Sequence, residues 1–104
     1  MDNFKAVYKI LSALESCMDL PKANVEMFDC KALNVSQERW NKYIEMMYDC
    51  GYIKGVNIKS YISGATIIDC NDIQITLKGL EYLQENSVMQ KMFKAAHGIA
   101  DLVH

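Results

Sequence analysis

Few residues in this chain interrupt regular structure, and fewer suit catalysis. Pro21 is the only proline and His97 and His104 are the only imidazoles, seven positions apart near the C-terminal end with no accompanying motif. Without H-E-x-x-H, a glycine-rich phosphate loop or a nucleophile elbow, the common hydrolase and nucleotide-transfer chemistries have no residues to run on. Asp69 and Asp72 lie in a turn-like segment, where loop polarity accounts for them better than acid–base work. Catalytic residues, metal ligands and cofactors are therefore not expected. No apolar run nears the roughly 18 residues of a membrane span, and no export signal precedes the chain, so the expected compartment is a reducing cytoplasm. The match of Asn34-Val35-Ser36 to a glycosylation acceptor then carries no weight. Cys17, Cys30, Cys50 and Cys70 form no C-x-x-C pair and are read as small buried side chains.

A basic arm is also missing. The 104 residues carry a net charge of −2 and a pI near 5.6, which excludes phosphate binding over the whole surface as a mode of action. What the chain has instead is apolar content of 51% in a length suited to one small domain, spanning 1–104.

Three helical stretches come first. Behind Asp2 or Asn3 as cap, Phe4, Val7, Tyr8, Leu11, Leu14 and Met18 recur at helical spacing, and Pro21 requires this helix to end by about Cys17. Asn24 is the expected cap of a short helix from Val25 to about Ala32, with Val25, Phe28 and Ala32 inward. Leu33-Asn34-Val35-Ser36 reads as a tight turn, Asn34 supplying left-handed backbone and Ser36 the cap of the next helix. That helix, Gln37 to about Cys50, turns Trp40, Tyr43, Ile44, Met47 and Tyr48 to one side and stops at Gly51.

The period then becomes extended. Tyr52, Lys54, Val56 and Ile58 alternate with Ile53, Gly55, Asn57 and Lys59; a Ser63-Gly64 loop, a β-branched run Thr66-Ile67-Ile68 and an Asn71-Asp72 turn lead to Ile73-Gln74-Ile75-Thr76. An antiparallel hairpin, with three strands at most, is expected. Thr76 caps a further helix with Leu77, Leu80 and Leu83 inward, and Gly79 allows close approach to the sheet. Asn86-Ser87 is read as a break, after which residues 87–104 form a C-terminal helix extension. The order defines an α+β winged helix-turn-helix: three N-terminal helices, a β-hairpin wing, and one to two C-terminal helices.

Gly51-Tyr52-Ile53-Lys54-Gly55, Ile75-Thr76-Leu77-Lys78-Gly79-Leu80-Glu81-Tyr82-Leu83 and Glu85-Asn86-Ser87 resemble the YjcQ family of small proteins from Gram-positive bacteria and their prophages, over nearly the whole chain. The Ile-Thr-Leu-x-Gly phrase is also similar to one in the MarR and PadR groups of regulators. The resemblance implies a winged-helix fold and a largely uncharacterised role, and it carries over no catalytic or ligand residue.

Two functional readings follow. In the first, the helix from Gln37 enters the major groove of duplex DNA: Gln37 and Asn41 pair with adenine, Arg39 with guanine, Ser36 caps the helix at the interface, and Lys31, Lys42, Lys54 and Lys59 meet phosphates. Tyr61 adds an aromatic surface in the wing. Against this, the helix presents Glu38, Lys42, Glu45 and Asp49 opposite its buried side, three of the four being carboxylates. In the second reading the fold is a protein-interaction scaffold. Met89, Met92, Phe93, Ala96, Ile99 and Val103 form a stripe that either covers the core or pairs two copies in a dimer.

Overall fold

The computed structural model describes the backbone of residues 2–97 and the side chains of residues 2–87. The elements run α1 (Asn3–Ser16), a 3₁₀ turn (Val25–Met27), α2 (Cys30–Leu33), α3 (Gln37–Asp49), β1 (Ile53–Lys54), β2 (Asn57–Ser60), β3 (Thr66–Asp69), β4 (Gln74–Ile75) and α4 (Leu77–His97). Three helical segments, a hairpin and a long helix give the winged-helix layout that the sequence predicts.

Asp2 starts α1 by accepting from the Phe4 amide at 3.0 Å. The helix buries Ala6, Ile10, Leu11 and Leu14, whereas Phe4 is 74% exposed, Met18 is exposed, and Val7 and Tyr8 are half-buried. The expected stripe is thus rotated toward Ala6 and Ile10. Ala6 and Ile10 are both completely buried there.

The second helical region is split. Asn24 caps only the 3₁₀ turn, accepting from Glu26, and Asp29 then caps α2 by accepting from Ala32 at 2.8 Å. This second cap, a carboxylate, restarts the helix and changes which side faces in. Phe28 and Leu33 are buried, Val25 is half-buried, and Ala32 is exposed.

The turn into α3 follows expectation. Asn34 has φ 56 and ψ 46, and the Asn34 and Val35 amides return to the Lys31 and Cys30 carbonyls at 3.1 and 3.0 Å. This is the paired arrangement that closes helix ends. Ser36 accepts from the Arg39 amide at 3.1 Å. The same closure ends α3: Gly51, at φ +78, donates to Tyr48, and Tyr52 donates to Met47 at 2.9 Å. Trp40, Tyr43, Ile44 and Met47 are buried, and Tyr48 is exposed. Trp40 Nε1 donates to the Phe28 carbonyl at 2.8 Å, which satisfies a buried donor and ties α3 to the segment ahead of α2.

Instead of at most three strands there are four, in two antiparallel ladders. β1 pairs with β4 (Ile53↔Ile75, Lys54↔Gln74) and β2 with β3 (Asn57↔Asp69 to Ser60↔Thr66). The divide falls at Gly55, whose φ is +76 and whose missing Cβ would lie 1.8 Å from the Asp72 carbonyl oxygen. The chain bends there and the alternation slips by one residue. Ile53 is buried and Lys54 exposed; beyond the bend Val56 and Ile58 are half-buried, while Asn57 and Lys59 are exposed.

Thr76 joins wing and helix. Its hydroxyl donates to the Gly51 carbonyl at 2.5 Å and accepts from the Gly79 amide at 3.1 Å. A Cβ at Gly79 would come within 2.4 Å of the Tyr52 carbonyl oxygen and 2.7 Å of Ile75 Cγ1, so glycine is what lets α4 lie on the sheet. Leu83 is buried and Leu80 half-buried, but Leu77, in the first turn, is exposed. Tyr52 and Tyr82 pack ring against ring with centroids 5.0 Å apart.

α4 does not break at Asn86-Ser87. Asn86 Nδ2 donates to the Tyr82 carbonyl at 2.8 Å and Ser87 Oγ to the Gln84 carbonyl at 2.9 Å. Both side chains bond back along the helix, so it continues to His97.

Candidate nucleic-acid interface

The candidate helix is α3, and its rotation decides which residues are offered. At about 100° per residue, the buried line Trp40, Tyr43, Ile44 and Met47 leaves Glu38, Lys42, Glu45 and Asp49 on the opposite ridge. Glu38, Lys42 and Asp49 are exposed and Glu45 is half-buried. The polar candidates lie on the two shoulders of that ridge.

On one shoulder Gln37 Nε2 donates to Asn41 Oδ1 at 2.8 Å, and Gln37 Oε1 accepts from the Cys30 thiol at 3.3 Å. On the other, Arg39 Nη1 donates to Asn3 Oδ1 at 3.1 Å, and the same oxygen accepts from the Tyr43 hydroxyl at 2.5 Å. Asn3, Ser36, Glu38, Arg39, Lys42, Tyr43 and Met46 together line a shallow groove between the starts of α1 and α3. Ser36, Arg39 and Lys42 are therefore brought together, with Glu38 among them. Gln37 and Asn41 form a separate pair. Lys31, on α2, is exposed and lines neither feature.

The sequence reading missed Asn3. No local pattern marks it, because its partners Arg39 and Tyr43 lie 36 and 40 residues away.

The wing supplies Lys54, Lys59 and Tyr61, all exposed. Lys54 stands opposite Gln74 in the inner ladder and Lys59 opposite Ile67 in the outer one. The outer ladder closes in a defined turn: Gly64 donates to the Tyr61 carbonyl and Tyr61 to the Ala65 carbonyl, each at 2.9 Å. At its tip Ile62 is fully exposed, and Tyr61 and Ile67 are also exposed. Ile62 was not among the expected site residues, although an isoleucine inside Tyr-Ile-Ser-Gly is itself a signal, since turns seldom spend a large apolar side chain.

Met89, Met92, Phe93 and Ala96 fall on the last turns of α4, where side chains lie outside the described residues; Ile99 and Val103 lie outside them altogether. Of the cysteines, Cys17 is buried, Cys30 and Cys70 are half-buried, and Cys50 is exposed rather than buried. Burial, reinforced by the neighbouring Asp69 carboxylate, pushes the Cys70 thiol up to about 11. Among the described residues no group of three His, Cys, Asp or Glu side chains could hold a metal ion, and no helix is long and apolar enough to cross a membrane.

A helix-turn-helix followed by a two-part wing, with α4 laid on the sheet beside it, defines a winged-helix protein. The chain belongs to the YjcQ protein family, whose sequence model matches residues 8–102. No curated protein and no solved structure matches it.

Proposed function

We propose that this protein is a bacterial or prophage regulator that binds duplex DNA and acts by binding rather than by catalysis, in the cytoplasm, as a dimer held by the C-terminal helix. The observation that carries this reading is the exposed first half of α3. A serine cap, Arg39 and Lys42 gather in one groove, and Gln37 and Asn41 pair on the other shoulder, all within the first two turns of the helix; the wing adds Lys54 and Lys59. Glu45 and Asp49 lie farther along α3 and stay clear of phosphate when only its first turns approach the duplex.

Affinity for a mixed-sequence duplex pool should fall steeply with salt, and Arg39→Ala with Lys54→Ala should weaken it, the Lys54 change reducing the slope by about one for its lost phosphate contact. No retention of DNA at low salt overturns the reading. For the dimer, Met92→Asp and Phe93→Asp should give monomers in light scattering without unfolding; a wild-type monomer at high concentration removes it.

A protein-interaction role is the second reading. It is favoured by the carboxylates on the α3 ridge and by a cleft of about 180 Å³ with Leu14, Cys17, Ile73 and Ile75 at its base and exposed Met18 and Leu20 on its rim.

A further inference from the structure

We propose that the leading contact with duplex DNA is the wing tip rather than α3, with Ile62 and Tyr61 set into the minor groove as an apolar wedge and Lys59 on the adjoining phosphate. This rests on the DNA reading above and assigns the contact to a different part of the fold.

Charge separates the two surfaces. From Lys59 to Ile68 the sequence has one cation and no carboxylate, whereas the α3 ridge carries Glu38, Glu45 and Asp49 beside the single Lys42. A helix inserted along that ridge brings three carboxylates toward phosphate, each repelled in water and more strongly where water is excluded. The wing tip meets no such repulsion.

Hydrogen bonding separates them again. Gln37 donates to Asn41 and Arg39 donates to Asn3, so part of the hydrogen-bonding capacity of these groups is already engaged within the protein. Tyr61 and Ile62 have no such prior engagement of their apolar surface. They stand on a closed turn with its own two bonds at 2.9 Å, in a hairpin four residue pairs long.

Shape points the same way. A minor groove about 6 Å wide excludes a helix about 10–12 Å across but admits the end of a hairpin. An isoleucine there has no edge to hydrogen-bond; it fits between base steps, where apolar side chains unstack and kink the duplex. Sequence preference should then follow deformability more than base identity, with A·T-rich and pyrimidine–purine steps favoured.

The test measures binding of the full chain to an A·T-rich duplex at low salt by fluorescence anisotropy, with thermal melts confirming that each variant folds. Ile62→Asp should weaken binding by roughly tenfold or more, and Ile62→Ser by a smaller factor, while Gln37→Ala with Asn41→Ala should change it by less than about twofold. Netropsin, which fills the minor groove, should displace the wild-type protein, and methyl green, which occupies the major groove, should not. Tip sensitivity together with netropsin displacement supports the wedge; the lack of either one overturns it. If the wild type binds duplex but ignores Ile62→Asp, only the wedge falls. If the wild type does not bind at all, the DNA reading falls with it.

Discussion

α3 and the outer wing are both presented to solvent, but they are held in opposite ways. α3 is fixed from beneath by Trp40, Tyr43, Ile44 and Met47 and from the sides by Asn3 and by the Cys30 thiol, which donates to Gln37. The outer wing is held near its base, where Val56, Ile68 and Cys70 pack against the core, and by its own ladder. A surface whose side chains are already partnered is rigid but has few free groups to offer a ligand. A surface supported by its own backbone bonds can leave its side chains unengaged, and that is where Ile62 and Tyr61 stand.

The comparison breaks most visibly if the seat of α3 is removed. Trp40→Ala deletes a buried indole and orphans the Phe28 carbonyl, so about 3–5 kcal/mol of stability should be lost in urea denaturation. Retention of wild-type stability would mean that α3 is not anchored as described. Gly55→Ala tests the base of the wing: a Cβ 1.8 Å from the Asp72 oxygen at φ +76 should cost about 2–3 kcal/mol, with the two ladders losing their relative setting. Ser36→Ala should cost about 1 kcal/mol and loosen the first turn of α3 in hydrogen exchange, leaving the wing amides unchanged.

A smaller effect comes from pH. The Cys70 thiol is raised from 9.0 to about 11 in the folded state, so the unfolded chain loses its proton first. The stabilisation it represents is full below about pH 9 and is lost as pH rises toward 11. Wild-type stability should therefore decline over that interval, and Cys70→Ala should flatten part of the decline. Least of all, Ile62→Ala should leave the melting temperature nearly unchanged, within about 0.5 kcal/mol, because the side chain touches little in the folded protein. A large loss there would show that the tip is part of the fold.

Much of the architecture was legible because its signals are short-range. Ser36, Asn34, Gly51 and Thr76 each act within a few residues of themselves, and the requirement for glycine at 79 follows from a helix starting directly after a strand. The failures share a different cause. The phase of α1 depends on which neighbours Ala6 meets, and the slip at Gly55 depends on Asp72 across the hairpin. Asp29, a second cap so soon after Asn24, was legible in principle and was passed over for the longer helix. Asn86 and Ser87 match the composition of a break, but inside a helix already under way their side chains bond to the preceding turn.

The site was less legible than the fold for the same reason. Residue type nominated Arg39, Gln37 and Asn41, yet whether such groups are free is settled by partners distant in the sequence, as Asn3 is from Arg39. Charge order, by contrast, needs no such partner: the carboxylates of α3 and the acid-free stretch from Lys59 to Ile68 can both be read directly.

The bend at Gly55 makes the hairpin beyond it a separable cassette. Its ladder, Asn57 to Ser60 against Thr66 to Asp69, closes on itself, and at its tip Tyr61 to Ala65 are all exposed. Insertions or deletions made in matched pairs across the tip can lengthen or shorten the hairpin without shifting Ile53 against Ile75. Reach and tip chemistry are thereby open to variation among relatives, or to grafting, on an unchanged body.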